Sequence, residues 1–209
     1  MSEGRSDPTR KPVVQPQSGS WWVLGLLAGL SVLLALGGET ARLALRYEKS
    51  AAWSGEYWRL ITGHLVHASA AHLLLNVIGV GLIAALFPRD YSPRQWLLIL
   101  LGSAVVIDLG FVLFEPQLLW YVGLSGVLHG ALAAGAIAWW QHETRPLALA
   151  LTAILAGKLS WEQWHGALPL SGDMPVIVDA HLYGAIGGLV VAAGLWVYSR
   201  RWSVSVRSL

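Results

Sequence analysis

Residues 95–114, QWLLILLGSAVVIDLGFVLF, form a continuous apolar run in which Asp108 is the only charged side chain. A helix needs about 20 consecutive apolar residues to cross the hydrocarbon core of a bilayer. The whole chain of 209 residues contains 12% charged residues and has a mean hydropathy of +0.55, whereas a soluble domain carries roughly 25% charged residues. The sequence therefore predicts an integral membrane protein.

Other apolar runs flank this one on both sides. The predicted spans are residues 21–38, 64–87, 95–114, 122–140, 147–165 and 176–199. The fifth is the weakest, because Lys158, Glu162 and His165 interrupt it. This pattern predicts an all-α bundle of six transmembrane helices over residues 21–199. Residues 1–20 are expected to be a disordered cytoplasmic tail, and residues 200–209 a short basic tail.

The distribution of basic residues predicts the orientation. With the N-terminus inside, nine of the 14 Lys and Arg residues fall on the inner side, and an excess of basic residues marks the cytoplasmic face. Both termini are therefore expected in the cytoplasm. The longest link, residues 39–63, has amphipathic spacing and is expected to lie on the outer membrane surface.

Composition also excludes several classes of protein. The chain has no cysteine, so it forms neither disulfides nor thiolate metal sites. Its net charge is only +2 and its basic residues form no stripe, so nucleic acid is not an expected partner. No H-E-x-x-H motif occurs, and His64, His67 and His72 lack a zinc-binding spacing. Neither a metal nor a cofactor is expected.

Two polar residues are predicted at the same depth on different helices. Ser125 opens the fourth span within Gly123-Leu124-Ser125-Gly126, and His181 opens the sixth within Ala180-His181-Leu182-Tyr183-Gly184. Both spans start at the outer face, and a serine nucleophile needs a base such as neutral histidine within hydrogen-bonding distance. Small residues at intervals of four let helices approach closely in lipid. They occur beside Ser125 at Gly126 and Gly130, and beyond His181 at Gly184 and Gly188.

Further polar residues could support this chemistry. His72 and Asn76 are four residues apart on the second span and so share a helical face, where they could donate hydrogen bonds to an oxyanion. His129 lies one turn below Ser125 and could order the imidazole of His181 or be the base itself. Asp179 is offset from the His181 face, and Asp108 is expected to pair with a polar group inside the bundle.

Taken in order, these features resemble a rhomboid protease. The motifs are Glu56-Tyr57-Trp58-Arg59-Leu60, His72-x-x-x-Asn76, Gly123-x-Ser125-Gly126 and Ala180-His181-x-x-Gly184-x-x-x-Gly188. The resemblance implies a Ser125–His181 dyad without a third acid. It also implies an oxyanion and substrate-binding site that includes His72, Asn76, Gly123 and the Ser125 backbone N–H, and a rigid first loop containing Trp58 and Arg59.

One position narrows the resemblance further. Most members of the family carry a tyrosine where this chain has His129, and the sequence Gly-Leu-Ser-Gly-Val-Leu-His-Gly is similar to the rhombosortase subgroup. That subgroup is associated with bacterial proteins that carry a Gly-Gly C-terminal sorting tail. The resemblance thus implies cleavage of membrane-anchored proteins near the outer face of a bacterial inner membrane. A catalytically inactive protein that escorts membrane helices, and a small transporter, are the alternative functions.

Overall fold

Each predicted span contains a helix in the computed structural model, which describes residues 19–141, 145–167 and 176–205. The helices are α1 (Trp21–Ala35), α2 (Gly38–Leu45), α3 (Lys49–Trp53), α4 (Arg59–Thr62), α5 (Ala70–Leu86), α6 (Pro93–Phe114), α7 (Ser125–Gln141), α8 (Arg145–His165) and α9 (Asp179–Ser205). Two short strands, β1 (Tyr47–Glu48) and β2 (Trp120–Tyr121), pair antiparallel. The prediction of an all-α bundle is confirmed.

The bundle presents an apolar surface suited to lipid. Within the described residues, α6 and α9 are long and apolar enough to cross a membrane alone, and α1 with α2 would add a span bent by 117°. The helix α5 is apolar but shorter. Exposed large apolar side chains cover the outer faces of α5 and α6, among them Leu74, Leu75, Ile78, Leu82, Leu97, Leu98, Leu101, Val105 and Leu109. A continuous surface of this kind indicates contact with lipid.

The helix α7 lies at the centre of the bundle. It is built largely from glycine and alanine, and most of its residues are buried between α5, α6, α8 and α9. Its closest neighbour is α9: a Cβ atom at Gly184 would lie 2.0 Å from the carbonyl oxygen of Gly126, and one at Gly188 would lie 2.0 Å from that of Gly130. The two helices therefore meet backbone to backbone.

The second span starts later than hydropathy predicts. Residues 64–69 are not helical, and α5 begins at Ala70. Ser69 caps the start of α5, because its side chain accepts a hydrogen bond from the backbone N–H of His72 at 3.1 Å. Residues His64, Leu65, Val66 and His67 are nevertheless buried. A hydropathy profile detects apolar segments whether or not they are helical. The predicted second span therefore includes residues that form a buried loop before α5.

Arg59 fixes the segment between α1 and α5. Its guanidinium donates to the carbonyl oxygens of Leu43 and Arg46, both at 2.9 Å, and pairs with the carboxylate of Glu56 at 2.6 Å. These bonds join α4 to the end of α2 and to the start of β1. Trp53, Tyr57 and Trp58 project outward from the same segment and are exposed, which suits aromatic rings at a membrane interface.

Substituting Arg59 with methionine is expected to lower the free energy of unfolding by about 3–6 kcal/mol, because two backbone carbonyls lose a charged donor and each such bond contributes roughly 1.5–3 kcal/mol. Thermal unfolding in detergent would measure the change. The control is Arg42→Gln, since among the described residues Arg42 pairs with the largely exposed carboxylate of Glu39 alone and a surface pair contributes little. An equal loss of stability in Arg59→Met and Arg42→Gln would contradict this role for Arg59.

Some predicted segments lie outside the described residues. They are nearly all of the N-terminal tail and the last four residues of the C-terminal tail. The last helix, α9, continues to Ser205 at its C-terminal end, beyond the predicted boundary at residue 199.

Candidate active site

A sharp turn places Ser125 at the first position of α7. Gly123 has a φ of +126°, a backbone conformation that favours glycine. Its N–H donates to the Gly63 carbonyl at 3.0 Å, and its own carbonyl accepts from the Tyr121 hydroxyl at 2.6 Å. The turn is thus tied to the first loop and to β2. The backbone N–H of Ser125 lies in the first turn of α7, where the helix itself supplies no acceptor.

The side chains of Ser125 and His181 are in direct contact. His181 lies in the first turn of α9, and its Nε2 is 2.9 Å from Ser125 Oγ. The close approach of α7 and α9 at Gly126 and Gly184 brings these two helix ends to one level. His181 is 5% exposed, so little bulk water can compete for the hydroxyl proton. This arrangement allows proton transfer from serine to imidazole.

A carboxylate contacts the other nitrogen of the same imidazole. Glu162 of α8 places Oε2 2.9 Å from His181 Nδ1, and its Oε1 is 2.6 Å from Lys158 Nζ. The Glu162 side chain is 2% exposed, while that of Lys158 is 29% exposed. The expectation of a histidine without an acidic partner is therefore corrected: an acid is present, contributed by the weakest predicted span.

In the sequence, Lys158 and Glu162 interrupt an apolar run and indicate no role in the site. They are four residues apart on α8, a spacing that places them on one face and suits an ion pair. Charged residues inside a span are costly and hence functional candidates. That rule could have identified the pair, although the sequence alone does not show that their face meets α9.

His129 stacks on His181. The ring centroids are 4.1 Å apart with an interplanar angle of 18°. Its Nδ1 is 2.7 Å from the Ser125 carbonyl oxygen; because a carbonyl only accepts, Nδ1 must carry the proton. The second ring nitrogen of His129 is buried and has no hydrogen-bond partner among the described residues. His129 therefore contacts His181 through its ring face and Ser125 through its backbone.

Three more of the predicted site residues lie beside Ser125. The His72 ring occupies the space that a side chain at Gly123 would need, with its Cε1 2.6 Å from the position of a Cβ atom. Asn76 is buried one turn along α5 and donates one amide hydrogen to the His72 carbonyl at 3.0 Å. An amide group has two such hydrogens, and this is the one bond that Asn76 donates among the described residues.

His67 supports this cluster from the loop before α5. Its ring meets that of His72 edge to face, with centroids 5.1 Å apart. Burial, followed by the charge of His72, lowers the pKa of His67 to about 4. His67 thus contributes to the cluster through the edge-to-face packing of its ring on His72.

In the part of the chain that the structure describes, the remaining predicted polar residues form no hydrogen bond with Ser125 or His181. Arg59 anchors the first loop, and Trp58 is exposed there. Asp108 Oδ1 lies 3.4 Å from His64 Nε2 under that loop, but no hydrogen bond joins these two atoms. Asp179 is the first residue of α9, where a negative charge favours the helix N-terminus.

One group of side chains has the composition of a metal site. His129, Glu162 and His181 offer ligand atoms within 4.8 Å of one another. The two imidazoles are stacked, however, so their in-plane lone pairs point along parallel planes rather than toward one ion. Both nitrogens of His181 also already have partners. The arrangement suits proton transfer better than metal binding.

Comparison with known proteins identifies the family. A family model described as the rhomboid domain matches residues 54–198, which include every residue of the site described above. The chain belongs to the rhomboid family.

Curated relatives include several bacterial rhomboid proteases. The candidate rhomboid protease YdcA of Bacillus subtilis is 27% identical over 66% of this chain and 67% of its own length. The rhomboid protease GlpG of Salmonella paratyphi A is 25% identical over 82% of this chain and 61% of its own length. The rhomboid protease GluP of Bacillus subtilis is 31% identical, but over only 42% of this chain and 17% of its own length. The chain thus spans about two thirds or less of the relatives it matches.

The family match and the protease names of these relatives together support an intramembrane serine protease. The apolar helices of the bundle agree with a rhomboid domain embedded in the lipid bilayer.

Proposed function

We propose that this rhomboid-family chain is an intramembrane serine endopeptidase in which Ser125 is the nucleophile and His181 the general base. The observation that carries the proposal is the 2.9 Å contact between Ser125 Oγ and His181 Nε2 in a buried site inside an apolar bundle. An escort protein would need neither residue, and a proton pathway would not need them joined at hydrogen-bonding distance.

The reaction follows from the roles of these two side chains. His181 Nε2 takes the hydroxyl proton as Ser125 Oγ attacks the scissile carbonyl carbon. The tetrahedral intermediate collapses as His181 returns that proton to the leaving amine, so the C–N bond breaks and an ester to Ser125 remains. Water then attacks the ester with His181 again as base, which releases the acid and restores the serine.

The oxyanion would be bound from two helices. The Ser125 N–H has no helical acceptor, and the second amide hydrogen of Asn76 and the imidazole of His72 lie on the neighbouring face of α5. Donors held in place before the reaction stabilise charge that develops only in the transition state. His72, Asn76 and the turn at Gly123 are accordingly proposed as oxyanion and substrate-binding residues.

The proposed substrates are membrane-anchored proteins with a C-terminal Gly-Gly tail, a membrane span and terminal basic residues. This rests on the resemblance of residues 123–130, with His129 at the usual tyrosine position, to the rhombosortase subgroup. Glycine holds helix poorly, so the upper end of such a span can unwind and present an extended backbone to Ser125. We further propose a bacterial inner-membrane location with both termini in the cytoplasm, from the excess of basic residues on that side.

Cleavage of a reporter tests the substrate class. A secreted domain would be fused to a Gly-Gly tail with a span and basic residues, and co-expressed with the wild-type chain or with Ser125→Ala. We expect release of the domain only with the wild-type chain, and a new C-terminus beside the Gly-Gly pair by mass spectrometry. A matched reporter with Val-Val in place of Gly-Gly should remain anchored.

Equal cleavage of both reporters would contradict the Gly-Gly preference while leaving the protease intact. If neither reporter is cleaved although Ser125 reacts with a serine-directed probe, the substrate class is wrong and the enzyme remains.

A further inference from the structure

An ion pair on α8 borders the site and has no part in the mechanism above. Lys158 and Glu162 lie one turn apart, and their side chains reach His181 from the side opposite Ser125. We infer that Glu162 is a positioning residue that sets the proton on His181 Nδ1, and that Lys158 fixes which oxygen of Glu162 faces the ring. The inference rests on the proposed function, since it concerns the same base.

The hydrogen bonds determine the tautomer of His181. An ionised carboxylate can only accept hydrogen bonds, so the 2.9 Å contact between Glu162 Oε2 and His181 Nδ1 requires a proton on Nδ1. The neutral ring then has its lone pair on Nε2, which lies 2.9 Å from Ser125 Oγ. This is the tautomer that can take the serine proton. Once the ring becomes positive, the same carboxylate stabilises the charge.

Lys158 determines how Glu162 is held. Its Nζ lies 2.6 Å from Glu162 Oε1 and 3.4 Å from His181 Nδ1. An ammonium group only donates, so a bond from Lys158 to Nδ1 would require the opposite tautomer, with the proton on Nε2. The shorter contact to Oε1 and the short Glu162–His181 contact together favour the competent form. Lys158 also compensates a buried carboxylate, which would be costly without a partner.

A purely structural pair would be the simpler account of Lys158 and Glu162. It requires only that the two side chains neutralise each other inside the bundle. It does not require Glu162 to place its second oxygen against His181 Nδ1. If the pair is only structural, the reactivity of Ser125 should not depend on which atom of the side chain at position 162 faces the ring. If Glu162 positions the proton, the reactivity should depend on it.

The substitution Glu162→Gln provides such a test because it keeps the size of the side chain. In this variant, Lys158 still requires an acceptor, so the amide oxygen is expected to face Lys158 and the amide NH₂ to face His181 Nδ1. The ring would then carry its proton on Nε2 and could not act as a base. When the aspartate of a Ser-His-Asp triad is replaced by asparagine, kcat falls about 10⁴-fold. By analogy, we expect the reactivity of Ser125 to fall by about 10³- to 10⁴-fold.

The combined variant Glu162→Gln with Lys158→Met removes the group that orients the amide. The amide can then rotate and accept from Nδ1–H, so we expect at least about tenfold recovery relative to Glu162→Gln alone. Lys158→Met alone should cost less than Glu162→Gln, because the carboxylate remains against Nδ1. A structural ion pair would also recover when the unpaired Lys158 charge is removed, but its labelling and its thermal stability would recover together. Recovery of labelling at unchanged thermal stability is expected only from the positioning role.

The experiment measures the second-order rate of fluorophosphonate labelling of Ser125 in purified wild type, both single variants and the combined variant, with thermal stability measured beside it. A labelling rate of Glu162→Gln within about threefold of the wild-type rate would overturn the inference and leave the proposed function standing. A combined variant as slow as Glu162→Gln would overturn the role of Lys158. A folded wild type that is not labelled would instead refute the proposed function.

Glu162→Asp keeps the test decisive if Glu162→Gln does not fold. The shorter acid retains the charge, but it cannot span the present 2.9 Å contact without movement of α8. We expect slower labelling than wild type in a folded protein. A folded Glu162→Asp protein that labels at the wild-type rate would contradict a positioning role.

Discussion

Replacing Gly184 with valine is expected to separate α9 from α7 and to lower the free energy of unfolding by about 3 kcal/mol or more, at or above the usual cost of overpacking a core. A Cβ atom there would lie 2.0 Å from the Gly126 carbonyl oxygen, which is backbone and cannot rotate away. Displacement of α9 would also move His181, three residues earlier, away from Ser125. Thermal unfolding in detergent and serine labelling should fall together.

Gly194 provides a matched control on the same helix. A Cβ atom at Gly194 would meet no described atom within 4 Å outside the nearby backbone of its own helix, so Gly194→Val should leave the melting temperature and the labelling close to wild type. Similar destabilisation by both substitutions would mean that helix propensity, rather than the contact between α7 and α9, determines the loss.

Substituting His181 with alanine should produce the largest loss of activity with little change in stability. Removal of the base alone is expected to slow reporter cleavage on the order of 10⁴-fold or more, as in serine proteases that lose the histidine of their catalytic set. Ser125→Ala should have a similar effect, and the combined variant should be no worse than either, because the two side chains act as one unit. Cleavage rates measured at saturating enzyme would check both expectations.

His129→Phe is the control for the identity of the base. Phenylalanine keeps a ring stacked on His181 and removes both nitrogens. A general base contributes at least about 10²-fold to the rate, so the cleavage rate of His129→Phe should fall by less than that. A loss as large as that of His181→Ala would identify His129 as the base, in contradiction to the 2.9 Å contact of His181 with Ser125.

The sequence predicted the elements whose signals are local. Apolar runs of bilayer length gave the helices and their order. Gly126, Gly130, Gly184 and Gly188 repeat at intervals that suit close helix packing, and the structure brings these glycines together. The pairing of Ser125 with His181 was predictable because both open spans that start at the same membrane face, so depth alone placed them together.

Contacts that depend on helix rotation and on tertiary packing could not be predicted in this way. Glu162 lies near the C-terminal end of a weak span, and its position in the sequence does not reveal whether it faces α7, α9 or lipid. Its contact with His181 exists because α8 presents one face to the start of α9. Similarly, His64 and His67 lie in a buried loop before α5 rather than in the helix that hydropathy predicted.

The acidic partner of His181 alters the chemical expectation for this member of the rhomboid family. A dyad sets the imidazole tautomer by packing alone, whereas here a carboxylate and an ammonium group on α8 surround Nδ1. The fifth span is weak by hydropathy because it carries these two charges together with His165. Two of these three polar side chains contact His181.

Intact-mass analysis after treatment with a fluorophosphonate tests the central claim most directly, because the probe reports an activated serine without needing a known substrate. Wild type, Ser125→Ala and His181→Ala would be treated in detergent, with an active rhomboid protease as a positive control. We expect one adduct on wild type, mapped to Ser125, and none on either variant. A folded wild type that stays unmodified while the control is labelled, or an adduct that persists in Ser125→Ala, would contradict the account.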